Sequence, residues 1–301
     1  MLHIPDWENK IFNASFYNFS RIAVELFNFQ YENNAIYKQF SDSIGKRPAE
    51  IHSISQIPFL PVQFFKTHKV ITTDFNPEII FESSGTTNTS KSKHAIKSVE
   101  LYKQSFLRTF KLFYGNETDW CILGLLPSYS NRENSSLLMM ADELIKRSMH
   151  PLSGFFLNDF EKLHHILWHN EILQQPTLLI GVTYALLDFA DKYKMKLSNT
   201  VIIETGGMKG RRKEMIRQEV HEILQNKLGL NTIHSEYGMT ELLSQAYSRG
   251  KGLFKCAPWM KVLVRDEDDA LEITSSAQIN TDKTGIINII DLANIYSCGF
   301  I

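Results

Sequence analysis

An α/β fold built on a mainly parallel sheet is predicted by three features of the sequence. Residues 120–126 and 177–182 are unbroken apolar runs, the composition of strands buried on both faces. Segments with apolar residues at helical spacing separate them, so strand and helix alternate and right-handed crossovers are favoured. Polar, glycine-bearing or hydroxyl-bearing segments follow the strand ends, where open sheets of this class bind ligands.

Taken in order, residues 11–48 carry Phe19, Ile22, Ala23 and Phe27 at helical spacing and stop at Gly45 and Pro48, which predicts two helices. Pro58 and Pro61 forbid a regular helix over 57–66, predicting an extended, buried lead-in to a first strand at 69–73. A second short strand at 78–82 then delivers a hydroxyl-rich loop at its C-terminal end. Val99, Tyr102, Phe106, Phe110 and Phe113 recur every three or four residues and predict a helix capped by Ser98. The strand at 120–126 exits into polar 127–132 and is followed by a helix at 135–146. A weak strand at 155–157, an Asp159-capped helix through Leu173, the strand at 177–182 and a helix at 184–193 come next. A strand at 201–205 runs into Gly206 and Gly207. The amphipathic helix after it carries Ile216, Val220, Ile223, Leu224 and Leu228 and ends at Gly229. The last strand of the alternation, 232–235, exits into 236–241. From residue 253 the text turns to short strands at 262–264, 271–274 and 286–290. The division expected is an N-terminal helical segment (1–50), an α/β core (51–252) and a β-rich closing piece of the same domain (253–301).

Composition narrows the function. Thirty-two Lys and Arg stand against 33 Asp and Glu, and a net charge of −1 argues against nucleic acid or a membrane surface as the main partner. No segment has the apolar run of a membrane span or a signal peptide. Cys121, Cys256 and Cys298 form no C-x-x-C and cannot all pair with one another, which suits a reducing cytoplasm. Cys298 has no charged sequence neighbour to lower its pKa, so a structural role is favoured over a reactive one.

Three polar segments carry the chemistry. In SSGTTNTSK at 83–91, Ser83, Ser84, Thr86, Thr87, Thr89 and Ser90 surround Gly85, and Lys91 adds charge; hydroxyls, a permissive backbone and a cation make a phosphate cradle. It is not a nucleoside-triphosphatase P-loop, which requires a second glycine before the lysine. Gly206 and Gly207 let backbone lie against a ligand. In YGMTE at 237–241, Tyr237 offers an aromatic face to a base, Thr240 can donate to a phosphate oxygen, and Glu241 is a hard oxygen ligand for Mg2+ beside phosphates. Each also has an ordinary reading: a Ser/Thr-rich surface turn, a glycine turn, a core tyrosine, a carboxylate at a helix N-terminus.

Taken together, SSGTTNTSK at 83–91 resembles the [ST]-[ST]-G-[ST]-T-G-x-P-K phosphate loop of adenylate-forming enzymes, the acyl-CoA synthetase and luciferase superfamily. YGMTE at 237–241 matches their Y-G-x-T-E motif in full, and Gly206-Gly207 stands where that superfamily has its adenine-side glycines. Within it, 57–61, 206–211 and 289–293 most resemble the acyl-protein synthetases of the LuxE type, long-chain-fatty-acid–protein ligases. Asn88 and Ser90 depart from the loop's usual glycine and proline.

The resemblance implies an ATP- and Mg2+-dependent ligase that activates a carboxylic acid, most naturally a fatty acid, to acyl-AMP and then transfers the acyl group to a thiol of a protein, a carrier protein or CoA. By position, Ser83, Ser84, Gly85, Thr86, Thr87 and Lys91 would bind the triphosphate, and Gly206, Gly207, Tyr237 and Gly238 would line the adenine side. Thr240 would contact the α-phosphate and Glu241 the metal; Thr86, Lys91, Thr240 and Glu241 form the expected catalytic set. Asp291 is the last carboxylate that could stand for the superfamily's ribose-binding aspartate. The large N-terminal part of such an enzyme is expected here, without the small C-terminal subdomain. Two other functions fit the same motifs: an acyl- or aryl-CoA ligase of the phenylacetate type, and a non-catalytic nucleotide-binding module.

Overall fold

The computed structural model describes residues 6–84, 90–129, 134–208, 210–266, 273–274 and 284–301. Its α-helices are α1 (Trp7–Phe12), α2 (Phe19–Asn33), α3 (Ala35–Ser43), α4 (Phe64–Thr67), α5 (Val99–Tyr114), α6 (Ser136–Ser148), α7 (Phe160–Ile172), α8 (Thr183–Lys192) and α9 (Arg217–Leu228). Its strands are β1 (Ile79–Glu82), β2 (Lys93–Ile96), β3 (Cys121–Leu125), β4 (Gly154–Phe155), β5 (Thr177–Gly181), β6 (Thr200–Glu204), β7 (His234–Tyr237), β8 (Ala246–Ser248), β9 (Phe254–Cys256), β10 (Met260–Arg265), β11 (Ile273–Thr274) and β12 (Ile286–Asp291). Among the described residues no helix is long and apolar enough to cross a membrane.

The chain forms two compact units that interleave along the sequence. One comprises Met1–Phe106, Met239–Ser244 and Cys256–Ile301; the other comprises Leu107–Gly238 and Gln245–Lys255.

The second unit holds the predicted sheet. Its strand order is β4-β3-β5-β6-β7-β8-β9, parallel from β4 through β7 and antiparallel at β7/β8. β3 and β5 are buried at all five positions, as their unbroken apolar runs require. Local signals bound two helices as expected: Asp159 accepts from Lys162 N at the start of α7, and Gly229 closes α9 at φ 65°; Ser135, expected within α6, caps it instead by accepting from Leu138 N. Ile216 departs from its expected place on the buried face of α9. It is 64% exposed because the helix begins after it.

In the first unit, α2 buries Phe19, Ile22, Ala23, Leu26 and Phe27 on one face. Gln30 follows on the same face and is satisfied by the far end of the chain: its Nε2 donates to Asn294 O and Ile295 O, and its Oε1 accepts from Gly299 N. The closing piece is a three-stranded antiparallel sheet, β11-β10-β12.

Three expectations are corrected here. Residues 69–73 form no strand; Thr72 N instead bonds Tyr296 O at 2.8 Å, and the Thr72 hydroxyl bonds Ser297 O. The two prolines do hold 57–61 out of helix, yet α4 begins three residues after Pro61. The strand at 79–82 is not part of the parallel sheet. β1 pairs antiparallel with β2, from Ile79 against Ile96 to Glu82 against Lys93, so the hydroxyl segment spans the tip of a hairpin in the first unit.

Candidate functional site

The loop end of that hairpin is locked by its own serines. Ser83 N donates to Ser92 O at 3.1 Å and Ser92 N to Ser83 Oγ at 3.0 Å. Ser84 is exposed, and Lys91 pairs with Glu82 at 3.3 Å on the hairpin's flank. Gly85, Thr86 and Thr87 lie outside the described residues.

β2 carries the link from the hairpin to the rest of the predicted set in this unit. His94, 1% exposed, places Nδ1 2.9 Å from Thr240 O and Nε2 3.1 Å from Asn294 Oδ1. Asn294 Nδ2 donates to Glu241 O at 2.8 Å and to Cys298 O at 2.8 Å, which fixes the amide's orientation. The structure therefore brings Thr240 and Glu241 to the strand that leaves the hydroxyl loop. Glu241 is 5% exposed, and its carboxylate makes no hydrogen bond or ion pair among the described residues. A carboxylate so placed suits a cation.

Thr240 O is an acceptor, so Nδ1 of His94 carries the proton, while Nε2 faces a second oxygen. Burial nevertheless lowers the ring from its ordinary 6.5 to about 4, outweighing both hydrogen bonds. The folded protein thus resists a proton that the unfolded chain accepts near pH 6.5. Stability from this group is complete above that value and falls by about 3 kcal/mol as the pH drops through 4. Urea denaturation at pH 7 and pH 4.5 should show a steeper loss in wild type than in His94→Asn. Equal losses would remove His94 as the source.

Asp291 is corrected as a ribose-binding candidate. It is wholly buried, and its carboxylate accepts from Leu243 N, Ser244 N, the Ser244 hydroxyl and Ala293 N. Burial still raises it above the usual carboxylate range. Cys298 is equally buried and its thiol is pushed up to about 12, in keeping with a structural cysteine.

The second unit carries the rest of the set. Gly206 and Gly207 follow β6 at φ 80° and 95°, a region that L side chains rarely adopt, which is why glycines stand there. Tyr237 closes the neighbouring parallel strand β7, its ring edge-on to Phe254 at 6.2 Å, and Gly238 follows. β6 and β7 are in register at Ile203/His234 and Glu204/Ser235, so the diglycine and the tyrosine leave adjacent strand ends. The chain passes into the first unit after Gly238, before Thr240 and Glu241. The expectation of three exits from one sheet is thus corrected to two; the hydroxyl loop belongs to the hairpin.

Sequence reasoning overlooked two acids beside these glycines. Glu204 Oε1 accepts from Gly206 N at 2.7 Å and from the Thr183 hydroxyl. Desolvation, then the neighbouring Glu204, pushes Glu236 up to about 8. A Cβ on Gly238 would stand 2.5 Å from Glu236 Oε1, so this acid occupies the space that glycine leaves. Their one visible signal was an acid within two residues of each motif.

Comparison with known proteins places the fold. No family model matches the sequence, and no curated protein matches it. Among solved structures, ATP-bound MatB from Rhodopseudomonas palustris aligns with a TM-score of 0.51 at 16% identity, over 75% of this chain and 42% of MatB. The fold is shared with MatB. O-succinylbenzoate coenzyme A synthetase (MenE) from Bacillus subtilis, solved with AMP, aligns at 0.45 and 17% identity, over 72% of this chain and 41% of that one. The N-terminal subdomain of Klebsiella oxytoca NpsA, in complex with 3-hydroxyanthranilyl-AMSN, aligns at 0.41 and 11%, over 76% and 55%. The chain thus spans about two fifths of the length of MatB and MenE.

Proposed function

We propose that this chain activates a carboxylic acid with ATP. A substrate carboxylate oxygen attacks the α-phosphorus, the bond to the β-phosphate oxygen breaks, and acyl-AMP and pyrophosphate result. A thiolate sulfur then attacks the acyl carbon and AMP leaves. The observation that carries the reading is Glu241, a residue held by its main chain whose carboxylate has no protein partner among the described residues, in a Y-G-x-T-E turn tied to the strand that leaves a hydroxyl loop. The fold shared with ATP-bound MatB supports it.

The residues present fit a magnesium ion. No group of three or more His, Cys, Asp or Glu that could hold a metal occurs among the described residues, so Glu241 would be a single protein ligand, with phosphate oxygens and water completing the shell. Bound there, the cation would neutralise charge on the triphosphate. Ser83, Ser84, Gly85, Thr86, Thr87 and Lys91 would grip the phosphates, Thr240 would donate to the α-phosphate, and Gly206, Gly207, Tyr237 and Gly238 would lie along the adenine. Chemistry of this kind depends on positioning and charge rather than on a strong acid or base. We assign the acid to the fatty class and the acceptor to a protein or carrier thiol, as in the LuxE-type enzymes, with the cytoplasm as the setting.

The test is exchange of labelled pyrophosphate into ATP by the purified protein across short-chain, long-chain and aromatic acids. Exchange that appears with one class of acid is the expected result. Exchange no higher with any acid than without one would refute adenylation. Turnover with free CoA and no protein acceptor would reassign the enzyme to the CoA ligases.

A further inference from the structure

The turn at 239–244 has an unusual means of support. It lies outside helix and sheet ladders, so its buried backbone groups must find partners elsewhere. Side chains from three other places in the first unit supply them: His94 at Thr240 O, Asn294 at Glu241 O, and Asp291 at Leu243 N and Ser244 N. Glu241 is therefore gripped on both sides through its main chain, while its carboxylate is left unengaged among the described residues. Behind Asp291 runs an ordered chain of donors. Trp259 Nε1 donates to Ser105 Oγ at 3.1 Å, Ser105 meets Ser244 Oγ at 3.0 Å, and Ser244 donates to Asp291 Oδ1 at 2.6 Å. Asp291 ends β12, and Asn294 is itself held through its carbonyl by Gln30.

We propose that Asp291 and Asn294 are positioning residues for Glu241: they fix the backbone at its carbonyl and at the Leu243 and Ser244 amides that follow it, so that the carboxylate meets a divalent cation without rearranging. This rests on the adenylation reading above. The physical case is that an apolar pocket could hold the turn in place but could not fix its backbone direction. A misplacement of about 1 Å at a reacting group can cost on the order of 100-fold in rate. A residue that orients a metal ligand typically changes metal affinity by about 10- to 100-fold when lost.

The experiment uses Asp291→Asn, which keeps shape and loses the charge that accepts the Leu243 and Ser244 amides. Two readouts are taken: the Mg2+ midpoint of acid-dependent ATP–pyrophosphate exchange, and hydrogen exchange at those two amides. The expected result is a midpoint raised by about 10-fold or more, KM for ATP at saturating Mg2+ moved by less than about 3-fold, and faster exchange at both amides. Faster amide exchange with an unmoved Mg2+ midpoint would overturn the proposal. Should Asp291→Asn not fold, Ser244→Ala removes one bond to the carboxylate and should raise the midpoint about 3-fold; no rise would overturn it equally. If wild type shows no exchange with any acid, the adenylation reading has failed separately. The clamp is then judged on the amides, and protection unchanged in Asp291→Asn or Ser244→Ala refutes it.

Discussion

Glu241→Gln is expected to reduce acid-dependent ATP–pyrophosphate exchange by roughly 100- to 1,000-fold, the scale of removing one preorganised charge from a transition state. The same change should leave the fold intact. What the fold uses from this residue is its carbonyl, which accepts from Asn294, and glutamine keeps it. The carboxylate has no protein partner among the described residues, and glutamine has the same shape. Thermal or urea denaturation without Mg2+ should therefore show the variant within about 1 kcal/mol of wild type. Activity is lost while stability is kept. Added Mg2+ should stabilise wild type and not the variant, since only a protein that binds the ion is stabilised by it. Retention of exchange within about 3-fold of wild type would refute the proposed role of Glu241 as a metal ligand.

What could be seen in advance was local. The strands β3 and β5 announced themselves by apolar runs, and Ser98, Asp159 and Gly229 by capping chemistry that acts over three or four residues. The hairpin was missed because Lys93–Ile96 is four residues long and begins with Lys93 and His94, so its strand character comes from pairing with β1 rather than from composition. Thr72 misled for the same reason: its partners lie at 296–297, beyond the reach of any local pattern.

Of the candidate site, the motif residues were legible and their supports were not. Asp291 looks in sequence like the end of an apolar strand, and its partners Leu243 and Ser244 stand nearly fifty positions earlier. His94 reads as an isolated histidine until its neighbours Thr240 and Asn294 are known. Glu204 and Glu236 stand on different strands and become a pair once β6 and β7 lie side by side. The Thr86 assignment falls within 85–89 and stays with the motif rather than with geometry.

Phe300→Ala should destabilise the first unit by about 3–5 kcal/mol, the usual cost of emptying a fully buried aromatic site. Phe300 is 0% exposed and stacks on Tyr37 at 5.9 Å with 15° between planes; Phe27 and Phe59 meet it at 6.4 and 6.5 Å. Its carbonyl accepts from Leu60 N at 2.9 Å, so the ring and the backbone tie the same residue to two distant segments. Against a typical domain stability of about 5–15 kcal/mol, this loss is a large share. A loss below about 1 kcal/mol in equilibrium urea denaturation would mean that the rings collapse to refill the space. The functional consequence differs in kind from that of Glu241→Gln. Phe300 packs beside β12 through the bridge to Ile290, and β12 ends in the Asp291 carboxylate that holds Leu243 and Ser244. Loosening this corner should therefore lower activity in step with the unfolded fraction, with the Mg2+ midpoint of the folded fraction unchanged. Glu241→Gln should abolish the Mg2+ response at full folding. A Phe300→Ala protein that stays folded yet loses its Mg2+ response would show that the aromatic cluster itself sets the geometry at Glu241.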